Sequence, residues 1–119
     1  MAFRLTDAEH KVMEILWREG DTTAKRIAEI LSEQIGWSKT STYTMIKRCL
    51  EKGALERREP NWICHPLVTI EDAREYEITE LINKLYYGAT DRLVASILGR
   101  RNLSKEEIER LKQIVRELE

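Results

Sequence analysis

Each of the five glycines in this 119-residue chain, Gly20, Gly36, Gly53, Gly88 and Gly99, stands just after a stretch whose apolar residues recur every three or four positions. Glycine relieves left-handed backbone strain at the residue after a helix end, so this placement reads as five helix C-caps. Both prolines, Pro60 and Pro66, fall in the one segment without that period, where a fixed φ and a missing N–H are tolerated in turns and at strand edges. The chain is therefore expected to be mainly α, with its strands confined to that segment.

The first helix opens with a capping box, Thr6-Asp7-Ala8-Glu9, and sets Val12, Ile15 and Leu16 on one face with Met13 and Trp17 beside them. The second follows Thr22-Thr23 and repeats Ile27, Ile30 and Leu31. The third begins after Ser38 and carries a buried stripe of Thr42, Met45, Ile46, Cys49 and Leu50. Ala54 to Glu59, a turn at Pro60-Asn61 and Trp62 to His65 then read as a short β-hairpin. Beyond Pro66 the helical period returns over Thr69 to Tyr87, over Thr90 to Leu98, and after a second capping box at Ser104-Lys105-Glu106-Glu107.

Three helices closed by a hairpin make the winged form of the helix-turn-helix, whose third helix enters the major groove of DNA while the hairpin lies along the backbone or minor groove. The expected organisation is a winged-helix DNA-binding domain over residues 1–68 and a helical dimerisation region of three helices over 69–119. In the last helix Ile108, Leu111, Val115 and Leu118 recur at the seam spacing of helix pairing. With Leu81, Leu85, Leu93 and Ile97 they exceed what one short chain can cover, which points to a homodimer. An intramolecular three-helix cap is the competing arrangement.

With 42% hydrophobic and 34% charged residues, the chain has the balance of a highly charged globular protein. No apolar run approaches the ~18 residues of a membrane span. Met1-Ala2-Phe3-Arg4-Leu5-Thr6 lacks the regions of a signal peptide, so the expected location is cytoplasmic. A net charge of −1 neither favours nor excludes nucleic-acid binding, but the distribution of the charge is informative. From Ser38 to Arg58, Lys39, Lys47, Arg48, Lys52, Arg57 and Arg58 face only Glu51 and Glu56, which is what a local phosphate-binding footprint would look like, although charge alone favours an ordinary solvated face.

Opposite its buried stripe the third helix presents Thr40, Tyr43, Thr44, Lys47 and Glu51, with Ser41 and Arg48 on the flank and Lys39 at the start. Hydroxyls and cations reach base edges and phosphates, and a tyrosine ring can contact thymine methyls. A face selected only for helix stability would favour Glu, Lys and Ala over Thr40-Ser41-Thr42-Tyr43-Thr44. These residues therefore read as a recognition helix for double-stranded DNA.

Leu5-Thr6-Asp7-Ala8-Glu9 through Ile15-Leu16-Trp17, Trp37-Ser38, Lys52-Gly53-Ala54-Leu55 and Pro66-Leu67-Val68 resemble, in order and spacing, the penicillinase-repressor (BlaI/MecI) family. The similarity continues through Tyr86-Tyr87-Gly88, Leu93-Val94-Ala95-Ser96 and Leu103-Ser104-Lys105-Glu106-Glu107-Ile108. It implies a cytoplasmic, dimeric transcriptional repressor of palindromic operators, often with TACA/TGTA half-sites and control of β-lactam resistance. It also implies release by a membrane sensor-linked metalloprotease that cuts between Ser96 and Ile97. Where the family commonly has Pro-Lys-Thr, this chain has Lys39-Thr40-Ser41, while Ser41, Thr44 and Arg48 keep the residue types of their positions. The hairpin is about two residues shorter than in the best-known members, and its tip, Glu59-Pro60-Asn61, lacks a cation, so wing contacts are assigned to Arg57 and Arg58.

Other chemistry has weak support. Cys64 and His65 are neighbours that point to opposite faces of a strand, and no C-x-x-C or H-x-x-x-H pair exists, so no metal site is expected. Copper-responsive relatives end in a cysteine-rich motif, whereas this sequence ends Val115-Arg116-Glu117-Leu118-Glu119. Cys49 reads as core and His10 as surface. No cofactor, small-molecule substrate or enzyme activity is expected. Trp17 and Trp37 read as packing residues, while Trp62 fits either an inward position against the third helix or an outward one. The competing function is a winged-helix protein-interaction module without specific operator binding, because fold alone does not fix function.

Overall fold

The computed structural model describes residues 1–100 and 102–119. They fall into two compact units, Met1–Ile78 and Thr79–Glu119. In the first, α1 (Asp7–Glu19), α2 (Ala24–Ile35) and α3 (Lys39–Lys52) pack around one core. Each start is set locally. Thr6 and Glu9 form the reciprocal capping box of α1, Thr23 accepts from the Arg26 N–H at α2, and Ser38 accepts from the Ser41 N–H at α3. Gly36 and Gly53 end α2 and α3 in the left-handed conformation that a side chain would strain.

Met13, Ile15, Leu16, Ile27, Leu31 and Ile46 are fully buried and meet between the three helices. Full burial of each such side chain contributes roughly 1.5–3 kcal/mol, so this cluster holds α3 in place. The sheet closes the unit with β1 (Thr22–Thr23), β2 (Leu55–Arg58) and β3 (Ile63–Pro66) in the antiparallel order β1-β3-β2. Arg57 pairs with Cys64 and Arg58 with Ile63 across the hairpin, while Thr22 and Thr23 pair with Cys64 and Ile63 on the other side. Three helices and this hairpin are a winged helix-turn-helix.

Three readings of the sequence change. Strands are not confined to the proline-containing segment, because Thr22–Thr23 joins the sheet; a strand of two residues has no alternation to read. Trp62 lies in the turn, with φ of 49° beside Asn61 at 69°, and not in the returning strand. Gly99 sits inside a helix with no positive φ, so it is not a cap.

Residues 69–78 pack with the first unit, and the structural division lies ten residues beyond the 68/69 boundary read from the sequence. The helix α4 (Ile70–Tyr86) begins here. Its Ala73 is buried in the first core, the Phe3 N–H donates to the Asp72 carbonyl, and the Trp17 indole N–H donates to the Val68 carbonyl at 2.9 Å. Thr69 and Asp72 bond reciprocally and start the helix.

The second unit contains the rest of α4, α5 (Thr90–Arg100) and α6 (Lys105–Glu117), the last opened by the Ser104–Glu107 capping box. Among the described residues it fully buries no side chain. Leu98, Leu103, Ile108, Leu111 and Val115 line an apolar groove of about 410 Å³ with the stems of Lys112 and Arg116. No helix among the described residues is long and apolar enough to cross a membrane.

Candidate nucleic-acid interface

The buried stripe of α3 fixes what its other side shows. Thr42, Ile46 and Cys49 are buried, which turns Lys39, Thr40, Ser41, Thr44, Lys47 and Arg48 to solvent. Lys39, Thr40, Tyr43, Thr44 and Lys47 line a shallow depression of about 290 Å³. Lys47 and Arg48 make no ion pair among the described residues, and the first turn of α3 adds the positive end of the helix dipole.

The two flanking hydroxyls differ in what they can offer. Thr44 donates its proton to the Thr40 carbonyl at 2.9 Å, so its oxygen is left to accept. Ser41 accepts from the Ser38 hydroxyl at 3.0 Å, so its own proton remains for a phosphate or a base acceptor. Together they supply one donor and one acceptor on the same face.

Tyr43 is not a free surface ring. It is half-buried and edge-on to Trp62, with centroids 5.3 Å apart and planes at 79°, while the Lys39 ammonium stands 5.8 Å from its centroid. Trp62 thus takes the inward of its two sequence-level alternatives.

On the wing, the Arg57 guanidinium lies 4.0 Å from the Trp62 ring and its Nε bonds Glu59 at 2.6 Å. Arg58 bonds Glu56 at 2.8 Å and reaches Asp21 at 3.5 Å, and Asp21 also takes His65 Nδ1 at 2.6 Å. Both wing arginines are therefore where the sequence suggested, but each is already matched by carboxylates. Lys52 leaves the basic patch altogether, because its ammonium bonds Glu9 and the Arg4 carbonyl. Sequence reasoning missed these pairings and the Tyr43–Trp62 contact; the aromatic residue beside the turn was the one available signal.

The cysteines have another character. Burial pushes the Cys49 thiol up to about 12 and the Cys64 thiol up to about 11, so both stay protonated at neutral pH. Among the described residues no group of three or more His, Cys, Asp or Glu side chains is placed to hold a metal.

The apolar residues assigned to dimerisation are spread over the second unit. Leu81, Leu85, Ile97, Ile108, Val115 and Leu118 are exposed, Leu93 and Leu111 are half-buried, and Leu118 lies just beyond the end of α6. Ser96 and Ile97 occupy the interior of α5.

A family model described as Penicillinase repressor matches residues 5–117. The Methicillin resistance regulatory protein MecI of Staphylococcus aureus (strain N315) is 32% identical over 115 residues, covering 95% of this chain and 94% of that protein. The Penicillinase repressor of Bacillus licheniformis is 29% identical over 116 residues, covering 96% and 91%. Among solved structures, the DNA binding domain of the repressor BlaI superposes with a TM-score of 0.54 at 26% identity, covering 60% of this chain and 93% of that one. The Bacillus licheniformis BlaI monomeric form in complex with the blaP half-operator gives 0.52 at 27% identity, covering 60% and 90%.

Proposed function

The chain belongs to the penicillinase-repressor family, and from that premise we propose that it is a DNA-binding transcriptional repressor acting in the cytoplasm on a palindromic operator of β-lactam-resistance genes. The observation that carries the reading is the exposed face of α3, where Ser41, Thr44, Lys47 and Arg48 stand together with the two cations unpaired among the described residues. Ser41 and Thr44 meet base edges or phosphates, Lys39, Thr40 and Tyr43 complete the face, and Lys47 and Arg48 bind phosphate. Arg57 and Arg58 add secondary backbone contacts, since each already has a carboxylate partner.

The second unit serves as the dimerisation region. A palindrome presents half-sites about 34 Å apart, and two tethered heads engage them together. The apolar surface of this unit, with no fully buried side chain among the described residues, supports a second copy as its cover. Release follows from losing that tether: a sensor-linked metalloprotease cuts between Ser96 and Ile97, after local opening of α5. No step assigned to the protein is catalytic.

Selection of duplexes from a random library followed by footprinting tests the reading. A palindromic footprint is expected, with Arg48→Ala lowering affinity and flattening its salt dependence. A wild-type chain that selects no sequence rejects operator binding and leaves a protein-interaction module. For release, the mass of the repressor is followed after β-lactam treatment of the host; an intact chain throughout derepression rejects cleavage at Ser96–Ile97.

A further inference from the structure

Trp62 stands where three parts of the first unit meet. Its carbonyl accepts from the Ala24 N–H at the start of α2, its ring carries the Arg57 guanidinium of the wing, and the Tyr43 ring of α3 packs edge-on against it. Its indole N–H is buried without a hydrogen-bond partner among the described residues. A buried, unpaired donor opposes folding, so ring contacts alone hold the side chain there, and the ring is what the position requires.

The consequence falls on Tyr43. An exposed tyrosine at a helix surface samples several rotamers, but this ring is half-buried and set at 79° to Trp62. Tyr43 lines the depression on α3 together with Thr40 and Thr44. Threonine methyls and an aromatic rim make an apolar contact, and the apolar group that a base edge shows in the major groove is the C5-methyl of thymine. Lys39 beside the same ring brings a cation to the adjoining phosphate.

We propose that Tyr43 reads a thymine methyl and that Trp62 is the positioning residue that fixes it for that reading, so that wing and recognition helix bind as one rigid surface. This rests on the DNA-binding role argued above and names the base feature the site recognises. Preorganisation matters here because a methyl contact is small and is lost if the tyrosine must first be ordered.

The test uses the full chain and the duplex that the wild type selects from a random library, with each thymine replaced singly by deoxyuridine to remove only the methyl. The wild type is expected to lose about threefold to tenfold in affinity at one position per half-site. Tyr43→Ala and Trp62→Leu should bind thymine and uracil duplexes equally there, whereas Trp62→Phe, which keeps an aromatic ring, should retain the wild-type profile. Thermal melts identify folded variants; if Trp62→Leu shows no transition, the Tyr43→Ala and Trp62→Phe profiles decide. A Trp62→Leu or Tyr43→Ala protein that senses methyl loss as the wild type does overturns the inference, as does a folded Trp62→Phe that does not sense it. A wild type that selects no sequence overturns the DNA-binding role itself, which separates the two failures.

Discussion

The carboxylate of Glu9, in the first turn of α1, is held by the ammonium of Lys52, the last residue of α3 and 43 residues along the chain. Glu9 is 3% exposed and also accepts from the Thr6 N–H at 2.8 Å, so one side chain both caps α1 and ties it to α3. Burial works against its ionisation, but the Lys52 ammonium and the Thr6 backbone and hydroxyl outweigh it, and its pKa lies below the ordinary value of 4.5. The pair thus adds a polar tie to the apolar contacts between α1 and α3.

A depressed carboxylate pKa stabilises the fold above the unfolded value and loses that contribution as pH falls through the folded one. The wild type should therefore show full stability at neutral pH and a fall in melting temperature below about pH 4.5. Glu9→Gln keeps the acceptor for Thr6 but removes the charge. Lys52 is partly exposed, so the cost at pH 7 is expected to be about 1–3 kcal/mol and not the larger loss of a fully buried pair. Melts of both proteins from pH 7 to pH 3 should converge in acid; curves that stay parallel would remove Glu9 from the acid transition.

How much of this was legible depends on distance along the chain. The capping boxes at Thr6–Glu9 and Ser104–Glu107 could be read because both partners lie within one turn, and the stripe of Thr42, Ile46 and Cys49 because burial follows the helical period. Lys52 was counted with the basic patch because nothing local announces a partner 43 residues away. The same limit hid the Arg58–Asp21 pair and the β1 strand, whose existence depends on β3 and not on its own two residues. Gly99 misled because a glycine inside a helix carries the same letter as one that ends it.

Both thiols should be silent in the folded protein. Cys49 and Cys64 are fully buried and their pKa values are pushed up to about 12 and about 11, which leaves almost no thiolate at pH 8. An aromatic disulfide reagent at pH 8 is expected to detect no fast thiol until denaturant is added, and then two. Rapid native reaction of either cysteine would contradict the packing of the sheet against α1 and α3.

The arginines of the wing and of α3 should separate by salt dependence. Arg58 is engaged by Glu56 and Asp21 and so is less available to displace a counterion from phosphate, whereas Arg48 is unpaired among the described residues. On a non-specific duplex, Arg48→Ala should reduce the slope of log affinity against log salt by about 1, and Arg58→Ala by less than half of that. Equal slopes for the two variants would mean that DNA displaces the Arg58 carboxylates.

Val115 gives the cleanest test of the second unit, because it is 58% exposed in the single chain and lines the apolar groove of α6 with Ile108 and Leu111. A side chain so exposed contributes little to the fold of one copy, so Val115→Asp should leave the helical content unchanged if nothing covers it. Where a second copy does cover it, the substitution places an unpaired carboxylate in an apolar contact, which costs several kcal/mol per site. The wild type is then expected to sediment as a dimer at micromolar concentration and Val115→Asp as a monomer. Operator affinity should fall by roughly 10²- to 10⁴-fold as the effective concentration of the second head is lost, while binding to an isolated half-site changes little. If wild type and variant sediment alike as monomers, the three helices form a self-contained cap, and the two half-sites of any operator are filled independently.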